Sequence, residues 1–183
     1  MPHPHPLPAR GRVSGAFVCA FGVIIAGAVQ VQAAGAPKLG TPLTAGETAA
    51  WDISVFPDGR GLPPGKGTAR EGRKVYDAQC ARCHGAGGQG ATAEELVGGS
   101  LKGPEPDKTI GTYWPYATTI FDVTKRSMPM QAPGSLSDDE VYAVTAYLLF
   151  ANKIVAEDFE INGKTLPQIQ MPNRDGFDRI DAK

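Results

Sequence analysis

The chain has 183 residues, 42% of them hydrophobic, with 23 glycines, 16 prolines and a formal net charge of −1. That length supports one domain with a modest core plus tails, and the glycine and proline content predicts much loop among a few helices. The near-neutral charge lacks the basic excess of a nucleic-acid binder, so no nucleic-acid partner is expected.

The first 33 residues stand apart. Arg10 and Arg12 form a positive stretch, residues 16–29 (AFVCAFGVIIAGAV) are an apolar run, and Val31 and Ala33 offer small side chains for a cleavage site. This is the pattern of a secretory signal peptide. The run falls short of the roughly 20 residues that a membrane-spanning helix needs. Export to the periplasm, cleavage and no membrane span afterwards are therefore expected, an uncleaved anchor being the other reading. Arg10 and Arg12 are not adjacent, which gives a twin-arginine route little support. Beyond residue 33 the chain holds two cysteines, Cys80 and Cys83, and one histidine, His84.

Residues 34–66 are rich in glycine and proline but carry Trp51, Ile53, Val55 and Phe56. Such side chains predict an arm packed on the domain rather than a free linker. Thr68-Ala69-Arg70-Glu71 is a capping box that opens a helix running toward Cys80. Gly72, Tyr76 and Cys80 fall four apart on it and share one face.

The helix runs into CARCH, residues 80–84. A thiol redox pair needs its cysteines at a helix N-terminus, where the thiol pKa is lowered, and these sit at a helix end. Structural zinc needs four ligands; with two cysteines and one histidine, it would have to recruit a carboxylate. A plain disulfide leaves His84 without a role. C-x-x-C-H is also the attachment pattern of c-type haem, in which both thiols bond the porphyrin and the adjacent histidine is the proximal iron ligand. Export agrees, because c-type haem is attached outside the bacterial cytoplasm. One covalent haem c, anchored by Cys80 and Cys83 and ligated by His84, is the cofactor expected. The glycines over 85–90 let the backbone turn away and pass close to the macrocycle.

Further along, residues 92–97 read as a short helical turn, and Pro104 as the carbonyl that accepts the His84 N–H. Tyr113, Trp114 and Arg126 are candidates for lining the pocket or bonding the haem propionates. A helix is predicted over 116–126, with Pro115 near its first turn. The soft sixth ligand left to the chain is a methionine, a choice that raises the haem potential. Met128 is assigned, because Pro129 stops the helix and stiffens the loop; Met130 and Met171 are the other candidates. No catalytic residue is expected. Ser137-Asp138-Asp139-Glu140 is a second capping box, with Leu136 and Val141 placed as a hydrophobic staple. The helix behind it is apolar nearly all round, which predicts burial. Residues 153–183 are more polar and read as a wrap around the domain or a docking segment. No run has a strand period.

Together these residues resemble a class I cytochrome c: Gly72 and Tyr76, then CxxCH, then Met128-Pro129, then Tyr147-Leu148 in the last helix. The resemblance implies an all-α class I cytochrome c fold of about three to four helices around one covalently bound haem, with extended N- and C-terminal arms. It also implies that Gly72 and Tyr76 meet Tyr147 where two helices cross. The expected divisions are a signal peptide over 1–33, an arm over 34–66, the cytochrome domain over 67–152 and a C-terminal extension over 153–183.

WDISVFPDGRGLPPGKG, IGTYWPYATTIFDVTKRSMP, APGSLSDDEVYAVTAYLL and MPNRDGF are further similar to the cytochrome subunits of bacterial sulfite dehydrogenase and of the Sox-system sulfane dehydrogenase. In that family a molybdenum enzyme oxidises the sulfur compound and a haem subunit takes its electrons singly. The resemblance implies a periplasmic electron-transfer subunit, without catalysis of its own, in such an oxidoreductase complex. Its partners would be a molybdenum-containing sulfite or sulfane dehydrogenase subunit and a downstream cytochrome or oxidase. The sulfane dehydrogenase cytochrome usually has a second haem domain, so a single CxxCH reads as the first such domain standing alone. Three other readings stay open: a carrier for another periplasmic dehydrogenase, a haem enzyme with a replaceable sixth ligand, and a haem-bearing interaction module.

Overall fold

Three helices open where the sequence supplies a capping box. The structure, a computed structural model, describes residues 39–178; the expected signal peptide lies outside them. The chain divides into two compact units, Met1–Thr41 and Pro42–Lys183, and everything below concerns the second. Its helices are α1 (Ala45–Trp51), α2 (Ala69–Gln79), α3 (Ala81–His84), α4 (Ala117–Ser127) and α5 (Asp138–Ala151), with two-residue strands β1 (Lys66–Gly67) and β2 (Ile161–Asn162) and a 3-10 turn at Leu166–Gln168. Thr44, Thr68 and Ser137 cap α1, α2 and α5, and Glu47, Glu71 and Glu140 reach back to them. The second and third boxes match the sequence reading. The first opens a helix that was not expected in the arm, although Thr44-Ala45-Gly46-Glu47 has the same signature. The helix count exceeds the expected three to four through α1 and the single turn α3.

The boxes make stability depend on pH. Hydrogen bonds from the Thr68 hydroxyl, then from its backbone N–H, hold the Glu71 carboxyl below its ordinary 4.5. Glu140 is lowered by the Ser137 backbone N–H, then by its hydroxyl. A carboxyl lowered by folding stabilises the fold above its unfolded pKa, and that contribution is lost as pH falls through the lowered value. Melting temperature should therefore decline below about pH 4.5, and the Glu71→Gln, Glu140→Gln double variant should flatten that decline. Thr68→Ala should cost about 1 kcal/mol, seen as a lower urea midpoint at unchanged slope.

The centre of the fold is the crossing of α2 and α5. Gly72 is packed so closely that a Cβ there would overlap the Ala143 carbonyl and press on the Tyr147 side chain. One turn on, Tyr76 is fully buried, its ring 4.9 Å from that of Tyr147. The expected meeting of Gly72, Tyr76 and Tyr147 is therefore present. Every residue of α5 from 141 to 149 is buried, as its all-round apolar pattern requires. α4 packs on it through Ile120 and Phe121, the latter ring 4.5 Å from Tyr142.

Arm and tail meet in an antiparallel pair, with Lys66 opposite Asn162 and Gly67 opposite Ile161. A ladder of this length is too short to leave a period-2 pattern. The tail wraps the domain and contributes Ile161, Leu166, Ile169 and Met171 to the core. The arm packs only in part. Val55 and Leu62 lie against the core, the Val55 N–H donates to Asp122 Oδ1 at 2.9 Å, and the Tyr142 hydroxyl donates to the Pro63 carbonyl at 2.8 Å. Trp51, Ile53 and Phe56 stand 83%, 55% and 41% exposed, against the expected packing: among the described residues up to Ile53 the arm's hydrogen bonds are local. No helix among the described residues is long and apolar enough to cross a membrane.

Candidate haem site

A cleft of about 170 Å³ is lined by the end of α2, by α3, by the loop after α4 and by α5. Cys80, Cys83 and His84 line it together with Met128, amid the apolar side chains of Leu96, Val144 and Leu148.

Helix α2 stops at Cys80, whose N–H bonds the Tyr76 carbonyl at 2.8 Å. One further turn, α3, carries Cys83 and His84, and Gly85 ends it at φ 81°, a conformation that favours glycine. The Gly85 carbonyl then accepts the buried Tyr76 hydroxyl at 2.9 Å. Burial, and secondarily the neighbouring Cys83, pushes the Cys80 thiol up to about 11. A thiol redox centre needs the opposite shift. The two cysteines are not joined in a disulfide, and among the described residues no three or more His, Cys, Asp or Glu side chains converge as a metal-ion site.

His84 Nδ1 lies 2.8 Å from the Glu94 carbonyl oxygen. A carbonyl only accepts, so Nδ1 carries the proton and Nε2 keeps its lone pair for a metal. The acceptor is Glu94 and not Pro104, which sits in an exposed loop. Nor is there a helical turn over 92–97. The Ala93 N–H bonds the Cys83 carbonyl at 2.9 Å, and the Leu96 and Val97 N–H groups share the Gly88 carbonyl at 2.7 and 3.0 Å. With those donors taken by the CxxCH turn and the glycine loop, residues 93–98 become a bent strap across α3.

Met128 is the C-cap of α4, in extended conformation, with its N–H on the Thr124 carbonyl at 3.0 Å. The loop it opens is tied at its ends, because Lys125 Nζ lies 2.7 Å from Asp138 and 3.4 Å from the Leu136 carbonyl. Met130 also lines the cleft but is 74% exposed, and Met171 is buried in the core outside the lining.

Tyr113, Trp114 and Arg126 do not line this cleft. Tyr113 meets the tail, its ring edge-on to Phe177 at 5.1 Å and its carbonyl accepting from Asn173 at 2.7 Å. Trp114 packs against the core. Arg126 donates to the Asp122 carboxylate, at 3.1 Å through Nε. Thr124 lines the cleft; Arg126, two residues on, is rotated about 200° around the helix and points elsewhere. Sequence reasoning passed over Gln79, Leu96, Thr124, Val144 and Leu148 as lining residues. The i, i+4 spacing of Thr124 to Met128 and of Val144 to Leu148 was the available signal.

Residues 67–148 match the family described as cytochrome C oxidase, cbb3-type, subunit III. Over 89 residues the chain is 36% identical to the thiosulfate dehydrogenase of Stutzerimonas stutzeri (strain A1501), a stretch covering 47% of this chain and 28% of that relative. A chain in the crystal structure of the sulfane dehydrogenase SoxCD from Paracoccus pantotrophus matches with a TM-score of 0.74 and 41% identity, over 79% of this chain and 73% of that one. The chain belongs to the cytochrome c family. This cytochrome thus spans little more than a quarter of the thiosulfate dehydrogenase and nearly three quarters of the SoxCD chain. Its family carries covalently bound haem c, and the cleft's donor set fits that group. Two thiols, three residues apart, and a histidine with its tautomer held come from α2 and α3, a thioether comes from the loop after α4, and the surroundings are apolar.

Proposed function

We propose that this cytochrome is a periplasmic class I electron carrier with one haem c, held by Cys80 and Cys83 and ligated by His84 and Met128. It accepts single electrons from a molybdenum-containing sulfite or sulfane dehydrogenase subunit and passes them to a downstream cytochrome or oxidase. When bound, the haem supplies a one-electron iron couple, whose potential methionine–histidine ligation raises. The chain's residues do the rest. Glu94 holds the His84 ring, Tyr76, Leu96, Val144 and Leu148 keep water from the cleft, and Lys125 ties the loop that bears Met128.

The observation that carries this reading is the placement of His84 and Met128 in one apolar cleft, with His84 Nδ1 already committed to a carbonyl. A full set of axial donors suits electron transfer rather than substrate binding at iron. The likeness to SoxCD supports the sulfur-oxidation partner, and the leader-like residues 1–33 support export. The likeness to a thiosulfate dehydrogenase favours a second reading, catalysis at a haem with a replaceable sixth ligand.

The test uses haem-loaded protein purified from the periplasm. A low-spin spectrum indifferent to cyanide and carbon monoxide, with rapid haem reduction by sulfite only when a molybdenum dehydrogenase subunit is present, is the expected result. Prompt cyanide binding by the resting ferric form would replace the carrier with the second reading.

A further inference from the structure

Asn152, the C-cap of α5, lies outside the lining of the cleft. Its side chain is nonetheless committed to the strap that holds His84. Nδ2 donates to the Leu96 carbonyl at 3.1 Å and to the Leu148 carbonyl of its own helix at 2.9 Å, while Oδ1 accepts the Gly98 N–H at 3.3 Å. Two carbonyls and one N–H define which end of the amide is which. Gly111 closes over this group, since a Cβ there would overlap Asn152 Oδ1. Leu96 and Gly98 follow Glu94 by two and four residues, and the Glu94 carbonyl receives the His84 Nδ1–H bond.

We propose that Asn152 is a positioning residue for the axial histidine: by clamping Leu96 and Gly98 to the end of α5, it holds the Glu94 carbonyl in place and so sets the donor strength of His84. The inference rests on His84 being an iron ligand. A hydrogen bond from the outer ring nitrogen makes the imidazole a stronger donor. That favours ferric iron and lowers the potential. Loosening the strap weakens the bond and raises the potential. The strap is already pinned at its inner edge by Cys83 and Gly88; Asn152 supplies the tie to α5, while Thr109 Oγ1 donates to the Gly98 carbonyl at 2.7 Å.

The experiment compares haem-loaded wild type, Asn152→Ala, Gly111→Ala and Thr68→Ala. The last is a control that loses stability at a helix cap without touching the strap. In Asn152→Ala, the reduced-to-oxidised ratio at fixed ambient potential should rise roughly threefold to tenfold, at most about 59 mV for one electron. Exchange of the His84 Nδ1 proton, followed by NMR, should accelerate. Gly111→Ala, which displaces the same amide, should move both readouts the same way and serves if Asn152→Ala does not fold. Thr68→Ala should move neither. A folded Asn152→Ala protein with wild-type potential and wild-type Nδ1 proton exchange overturns the clamp. A His84→Ala protein that keeps the low-spin spectrum overturns instead the ligand assignment beneath it.

Discussion

Met128→Ala in the haem-loaded cytochrome should abolish the far-red absorption band of methionine-bound ferric iron and lower the midpoint potential by roughly 100 mV or more, a modest part of the ~0.8 V range that axial ligands span. The expectation follows from position. Met128 caps α4, and Thr124 beside it lines the same cleft. The loop beyond is held by Lys125 to Asp138 and to the Leu136 carbonyl, so a neighbour cannot move in without breaking that tie. Met130, the other thioether of the lining, is 74% exposed, and Met130→Ala should leave band and potential nearly unchanged. Persistence of the band in Met128→Ala together with its loss in Met130→Ala would move the ligand two residues along the chain. A truncated site opens the iron to small ligands, so cyanide should then bind where it did not before.

Gly72→Val should destabilise the folded protein by about 3 kcal/mol or more, a large part of the roughly 5–15 kcal/mol that holds a domain folded. A Cβ at this position overlaps the carbonyl of Ala143, which is backbone and cannot rotate aside. Relief requires α2 and α5 to separate, and these helices carry the CxxCH turn on one side and Val144 and Leu148 on the other. The cleft should widen as the core loosens, so urea midpoint and haem spectrum should change together. Gly46 in α1 provides the contrast. A Cβ there meets nothing within 4 Å, and alanine favours helix by about 1 kcal/mol over glycine. Gly46→Ala should therefore leave the midpoint level or raise it, whereas an unchanged midpoint in Gly72→Val would remove the crossing from its central place in this fold.

Much of the architecture was legible because its causes are local. Capping boxes span four residues, and those at Thr44, Thr68 and Ser137 each open a helix. The Met128-Pro129 step stops α4 where the missing proline N–H predicts. Burial of α5 follows from its composition. The misreadings share a different cause. Residues 92–97 have no helix because Cys83 and Gly88 take their N–H groups, a competition between segments that no window over 92–97 contains. Arg126 stands outside the cleft lining and pairs with Asp122, which also receives the Val55 N–H from the arm. Trp51 looked like a packed arm residue, but the arm first reaches the core at Val55, four residues further on.

The sequence by itself determined the helices and the CxxCH turn that bring Cys80, Cys83, His84 and Met128 to one cleft, because attachment spacing, capping and proline breaks act over a few residues. Only the tertiary structure decided that Glu94 receives the His84 N–H, that Asn152 holds the strap from α5, and that arm and tail pair through β1 and β2. Those bonds join groups as far apart as Lys66 and Asn162 or Leu96 and Asn152. A buried polar group takes whichever partner packing brings within reach, and that choice has no period along the chain.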